Sequence, residues 1–168
     1  YPFKLFSHPI TFKLMIEIKN LKKGFGGDEL VLKGISTTFE KGKTNLIIGQ
    51  SGSGKTVFLK CLLGLFRPTE GKIVYDGEAY SELSSEKQRT LREQMGMVFQ
   101  GSALFDSMTV EENIMFPLRM FTKQRKAERR ERANEVIKRV NLINANNKLP
   151  SEISGGMQKR VAIARAIV

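Results

Sequence analysis

Gly49-Gln50-Ser51-Gly52-Ser53-Gly54-Lys55-Thr56, GQSGSGKT, decides how this chain is read. It fits G-x-x-x-x-G-K-[ST], the phosphate-binding loop known as Walker A. Just upstream, Thr44-Asn45-Leu46-Ile47-Ile48 is a short, β-rich apolar run that reads as a buried strand. Just downstream, Val57 to Leu63 is apolar on nearly every side and reads as a buried helix. Strand, glycine loop and helix form the context the motif requires. Gly49, Gly52 and Gly54 let successive N–H groups curl inward on an anion, and a helix starting near Gly54 adds its positive dipole end. Lys55 supplies a full charge for the β- and γ-phosphates, and Thr56 a hydroxyl where Mg²⁺ sits in such loops. The nucleotide contacts expected are Gly49, Gln50, Ser51, Gly52, Ser53, Gly54, Lys55, Thr56 and Val57. A glycine- and serine-rich turn with a stray lysine is the alternative, and the flanking strand and helix argue against it.

Composition sets the bounds. A chain of 168 residues suffices for one domain that buries about 70% of its unfolded surface. Hydrophobic content is 40% and charged content 27%, ordinary for a globular protein. One cysteine excludes a disulfide within the chain and fits a reducing compartment. No apolar run approaches the ~20 residues of a membrane helix, so the chain reads as sitting beside a membrane rather than crossing it. The net charge of +11 and pI near 9.9 suit an anionic partner: nucleic acid, an acidic membrane face, or nucleotide itself. Much of the excess is local. Lys123 to Arg132 holds six basic and two acidic residues, and reads first as the solvated face of a helix and only second as a polyanion site.

Working outward from the loop, residues 1–14 look foreign to the rest of the chain. Position 1 is not Met, Lys4 and Lys13 bracket the apolar residues, and no small-residue cleavage site appears, so the segment is a poor signal peptide. Met15 opens a clean alternation, Ile16 and Ile18 against Glu17 and Lys19, and is read as the natural start. Lys22 to Glu29 is expected to be a glycine-rich turn. Phe25, exposed there, either stacks on a purine ring or packs on its own hairpin. Leu30 to Phe39 reads as a second strand, and 40–43 as a turn into the Walker A strand. Gly64 and Arg67-Pro68 end the loop helix. Gly71 to Tyr75 reads as a strand followed by an Asp76-Gly77 hairpin turn. Residues 78–93 are polar, with a surface helix from Ser85. Met95 to Phe99 reads as a short buried strand ending in Gln100, whose amide either ligands a metal or water or merely caps a sheet.

Beyond Gly101 the pattern is helical. Thr109 to Glu112 is a capping box, and Pro117 interrupts the helix it opens. Ala133, Val136, Ile137 and Val140 recur at helical spacing within 123–141, with the basic run outside. The asparagine-rich stretch Asn141 to Asn147 reads as a loop. Ile153-Ser154-Gly155-Gly156-Met157 is a second glycine turn opening a second helix, hence a second potential anion site made of N–H groups.

Taken in this order, Walker A, a Gln after a strand and a Ser-Gly-Gly turn resemble the ATP-binding-cassette (ABC) ATPases over residues 15–168. That family's signature is usually written LSGGQ; here it is ISGGM. The resemblance implies an α/β P-loop NTPase fold: a RecA-like parallel core, an antiparallel β subdomain and a helical signature subdomain. It places the β subdomain and Walker A core in 15–100 and the helical subdomain in 101–168. It implies that Phe25 stacks on adenine, that Gln100 is the Q-loop residue near metal and attacking water, and that Ser154, Gly155 and Gly156 reach the γ-phosphate held by a second copy. ATP and Mg²⁺ are the implied cofactors. A head-to-tail homodimer and a transmembrane permease are the implied partners, at the cytoplasmic face of the inner membrane, with no nucleic acid expected. Phe99 to Arg119 and Met157 look like the ATPases of Mla-type phospholipid transporters, in which segment 102–120 would meet the permease's coupling helix.

Part of the family pattern is missing. No strand of four apolar residues ends in Asp-Glu, and the one histidine, His8, lies in the unusual N-terminal stretch. The Walker B half is thus absent, the chain reads as a C-terminally truncated ATPase, and the segment is expected to bind ATP without hydrolysing it. Two other readings remain open. One is a soluble ABC ATPase acting on nucleic acid or the ribosome; the other is a non-hydrolysing nucleotide-binding module.

Overall fold

The computed structural model describes residues 15–26 and 29–168. They fall into two compact units that divide between Arg92 and Glu93, within the last turn of a helix. The expectations for residues 1–14, His8 included, lie outside the described residues.

The first unit holds strands β1 (Ile16–Gly24) and β2 (Leu30–Phe39), helix α1 (Lys55–Leu62), strands β3 (Glu70–Tyr75) and β4 (Glu78–Ala79), and helix α2 (Ser85–Glu93). Its sheet is antiparallel, in the order β2-β1-β3-β4. The expected alternation holds up to Lys19 and then slips. Asn20 takes φ 48 and the pairing shifts register there on both sides of β1, a bulge that turns Leu21 rather than Asn20 into the core. β3 meets the bulge with Gly71, where a Cβ would lie 2.2 Å from the Asn20 carbonyl oxygen. β1 runs on through Lys22 to Gly24, so the turn starts later than the glycine pattern suggested. The Asp76-Gly77 turn is as expected, both residues at positive φ, joining β3 to β4.

α1 buries Phe58, Cys61 and Leu62, and Phe39 packs edge-on against Phe58 at 6.1 Å. The helix ends in a Schellman closure: the Leu65 N–H donates to the Lys60 carbonyl at 2.9 Å, with Gly64 at positive φ. The buried Tyr75 phenol donates to the Leu62 carbonyl, tying β3 to the last turn of α1.

The second unit is a helical cluster: α3 (Val110–Phe121), α4 (Lys126–Arg139) and α5 (Gly155–Ile167), around Val110, Ile114, Val136, Leu142 and Val161. The capping box is formed: the Glu112 N–H donates to Thr109 Oγ1 and the Thr109 N–H to Glu112 Oε2 at 2.8 Å. The Thr109 N–H, and the Thr109 hydroxyl at 3.1 Å, both donate to Glu112 Oε2 and hold that carboxyl below its ordinary pKa. Ala133, Val136 and Ile137 are buried on α4, and Val140 packs against the same core.

Three expectations need correction. Pro117 does not end α3, which continues to Phe121. The ring removes only the N–H that would bond Asn113, and the packed face of the helix outweighs that loss. Residues 44–48 enter no ladder, and Leu46 and Ile48 are 82% and 81% exposed. An apolar strand of this kind is stabilised by neighbours over both faces, and among the described residues every ladder belongs to the antiparallel sheet. For the same reason 95–99 is not a strand. Gly96 lies against the end of α5, where a Cβ would stand 1.9 Å from the Ala166 carbonyl oxygen, while Val98 and Phe99 are about half exposed. The described residues thus build the antiparallel and helical parts and do not assemble the parallel core.

Candidate functional site

The phosphate loop is wound tightly in front of α1. Lys55 reaches back across it and donates from Nζ to the carbonyls of Gly49 at 2.8 Å and Gln50 at 2.6 Å. An ammonium has three donors, so one remains for a phosphate oxygen. The Ser53 N–H returns to the Gln50 carbonyl at 3.3 Å, closing the turn. Gly54 is the N-cap of α1 at φ 87, and a Cβ there would stand 2.9 Å from Leu32 Cδ2 and 3.2 Å from Val31 Cγ1. The helix start is therefore seated on β2 at a position where only glycine sits without strain. The first turn of α1 carries no acidic residue, so nothing there competes with an anion for the helix N–H groups. Thr56, exposed in that turn, offers the hydroxyl for a metal. Among the described residues no cluster of His, Cys, Asp and Glu could hold a metal by itself.

Phe25 is 57% exposed on the turn after β1, and it also packs. Its ring meets Phe66 edge to face at 5.1 Å, and Lys23 Nζ lies 4.9 Å from its centroid. Lys60, on α1, lies 5.2 Å over Phe66. The structure thus joins the candidate stacking ring to the loop helix through Phe66. Residues 25 and 66 fall in separate loops, and no spacing rule links them, so sequence reading missed Phe66.

In the second unit, Ser154 caps α5, its Oγ accepting the Met157 N–H at 3.3 Å. A Cβ on Gly155 would meet nothing within 4 Å, and one on Gly156 only the Ser154 Oγ at 3.9 Å. Neither glycine has positive φ. Glycine in a helix is less favourable than alanine by roughly 0.5–1 kcal/mol, and nothing within the unit offsets that. Bare backbone is left facing outward at a helix start. Met157, where the family usually has Gln, packs on the helical core.

Gln100 lies exposed in a turn of the same unit. The residues after it are fixed rather than loose: the Arg165 guanidinium donates to the Ser102 carbonyl at 3.0 Å and lies 5.7 Å over the Phe105 ring. Burial lowers the Arg165 pKa. Ser102 and Ala103 are both held at positive φ. Asn113, fully buried, accepts the Phe105 N–H and donates to the carbonyls of Phe105, Met108 and Thr109. Nothing in the sequence pattern singled out Asn113 or Arg165, each of which reads as one polar residue on a helix.

Comparison with known proteins fits this geometry. A family model described as ABC transporter matches residues 32–168. The probable ribonucleotide transport ATP-binding protein mkl of Mycobacterium bovis is 41% identical over 91% of this chain and 42% of its own length. The arginine transport ATP-binding protein ArtM of Bacillus subtilis is 43% identical over 91% of this chain and 63% of its own. The chain therefore spans about half the length of such relatives. Among solved structures, the dimeric ATP-binding cassette MJ0796, in a post-hydrolysis state with ADP and Pi, is similar at TM-score 0.79 and 34% identity. The match covers 90% of this chain and 68% of that one. The protein cbiO1 of Clostridium perfringens, part of the transporter complex cbiONQ, is similar at TM-score 0.79 and 28% identity, over 90% of this chain and 60% of that one. The fold class is that of the ATP-binding cassettes, a P-loop NTPase.

Proposed function

The chain belongs to the ABC transporter family of ATP-binding proteins, and from that premise we propose that it binds ATP with Mg²⁺ to drive a membrane permease. Lys55 and the loop N–H groups grip the β- and γ-phosphates. Thr56, with Gln100, holds the metal, whose charge neutralises the phosphate oxygens. Phe25 carries the adenine on its exposed face. Ser154, Gly155 and Gly156 close on the γ-phosphate bound to a second copy. An anion between two sets of N–H donors makes several charge-assisted bonds at once, so its loss on hydrolysis opens the pair. The catalytic roles expected of Lys55 and Gln100 are transition-state charge stabilisation and positioning of the attacking water.

The observation that carries this reading is the loop itself, with Lys55 held between two carbonyls ahead of a helix that begins at an obligatory glycine. Within these 168 residues no Asp-Glu pair follows an apolar strand. The complete protein is expected to hydrolyse the nucleotide it binds, and Lys55→Ala to abolish that turnover. The division of labour is a β subdomain with the Walker A core in 15–100 and a signature subdomain in 101–168. The protein works peripherally at the cytoplasmic face of the inner membrane, and no helix of the described residues is long and apolar enough to cross a membrane.

For cargo we propose phospholipid, on the strength of the segment Gly101 to Asp106 and of Met157. The relatives above carry names for ribonucleotide and arginine transport, which supply the competing cargoes for the test. Sedimentation of the complete protein with Mg-ATP tests the sandwich. It should dimerise, and Ser154→Arg should not; a wild type that stays monomeric at saturating ATP contradicts it. ATPase stimulation in the permease complex by phospholipid, and not by arginine or ribonucleotides, tests the cargo.

A further inference from the structure

The corner joining α3 to α4 combines two features that the nucleotide site does not use. At the end of α3, Met120 and Phe121 are 54% and 53% exposed. Immediately after them come Lys123, Arg125 and Lys126, all exposed and, among the described residues, in no ion pair. The acids nearby are already engaged: Glu112 through the Thr109 hydrogen bonds of the α3 capping box and, more weakly, by the charge of Lys126, and Glu128 through Oε2 with the Arg125 N–H at 2.8 Å. The corner is also held in shape. Thr122 Oγ1 donates to the Leu118 carbonyl at 2.6 Å and accepts the Gln124 N–H at 3.4 Å. The backbone beside the two exposed apolar residues is thus fixed.

A solvated helix face explains the cations and leaves exposed Phe121 unaccounted for, since the segment expected to meet the permease, 102–120, takes in Met120 and stops before Phe121. A nucleic acid would use the cations and, without unpaired bases, gain little from that ring. An anionic bilayer uses both: the cations remain among the phosphates while the apolar side chains enter the headgroup boundary. We propose that this corner docks on the surface of an anionic phospholipid bilayer, orienting the protein beside its membrane partner. The inference rests on the reading of the chain as a transporter ATPase only for why a membrane is at hand. Its chemistry is independent of ATP.

The test is flotation of the complete protein, purified without its permease, with vesicles of phosphatidylcholine alone or of phosphatidylcholine and phosphatidylglycerol in equal parts. Binding is expected only to the anionic vesicles. Replacing Lys123, Arg125 and Lys126 together by Gln should weaken it about a hundredfold, each cation counting for about fivefold. Phe121→Ser, which leaves the charge unchanged, should weaken it severalfold. Lys55→Ala should leave vesicle binding intact while abolishing ATP binding, so that failure of the nucleotide reading and failure of this one are told apart. Three results would overturn the proposal: no wild-type binding to anionic vesicles, binding unchanged in the triple variant, or capture of RNA or DNA through the same cations with Phe121→Ser without effect. Circular dichroism of each variant checks that the helices persist.

Discussion

Gly54 shows at the scale of one residue how the site is made. It is at φ 87 with Leu32 and Val31 close behind it. Gly54→Ala should cost about 1–2 kcal/mol for the left-handed backbone alone, read as a lowered melting temperature, and should weaken ATP binding because the cradle shifts. The motif made this glycine and Lys55 legible in the sequence, since the chemistry depends on a short contiguous string. Phe66 was not legible, because an aromatic pair between two loops leaves no periodic trace. Cys61 gives a second check. It is 1% exposed and burial raises its thiol pKa, so a thiol reagent should modify it only after denaturation. Modification in the native state at neutral pH would show that α1 is not seated as described.

At the scale of elements, α3 is the informative case. Its start was readable because a capping box is a local code, and its passage through Pro117 was not, because the helix is held by α4 and α5 rather than by propensity. Thr109→Ala should cost about 1 kcal/mol in thermal denaturation. The box also has a pH sign. The Glu112 pKa is lowered on folding, so its contribution is present above the unfolded carboxylate value and is lost as pH falls through the folded one. Glu112→Gln, which removes the titrating carboxyl, should therefore flatten the acid limb of a stability-versus-pH curve; an unchanged limb would mean that the box is not formed in solution. The sheet behaves in the same way. The start of β1 and the Asp76-Gly77 turn follow from alternation and turn chemistry, whereas the Asn20 bulge is set by what β2 and β3 place against it. Gly71→Ala, driving a Cβ toward the Asn20 carbonyl oxygen, should disrupt the β1–β3 pairing and lose more stability than Gly77→Ala, whose Cβ would meet nothing within 4 Å.

Across the whole molecule, the apolar runs at 44–48 and 95–99 mark how far local pattern carries. Both have the composition of core strands, and neither finds a ladder among the described residues, because a parallel strand is defined by its neighbours and not by its own sequence. The two turns proposed to bind anions fall in different units, one at α1 and one at α5. The proposed head-to-tail pair gives each turn its counterpart from another copy. The central claim is that Lys55 and the loop around it hold the polyphosphate of ATP. Isothermal titration calorimetry of Mg-ATP into the folded complete protein, beside Lys55→Ala, tests it most directly. Saturable heat at one ATP per chain is predicted for the wild type, and none for the variant. Equal heats from the two proteins, or none from the wild type, would contradict the account.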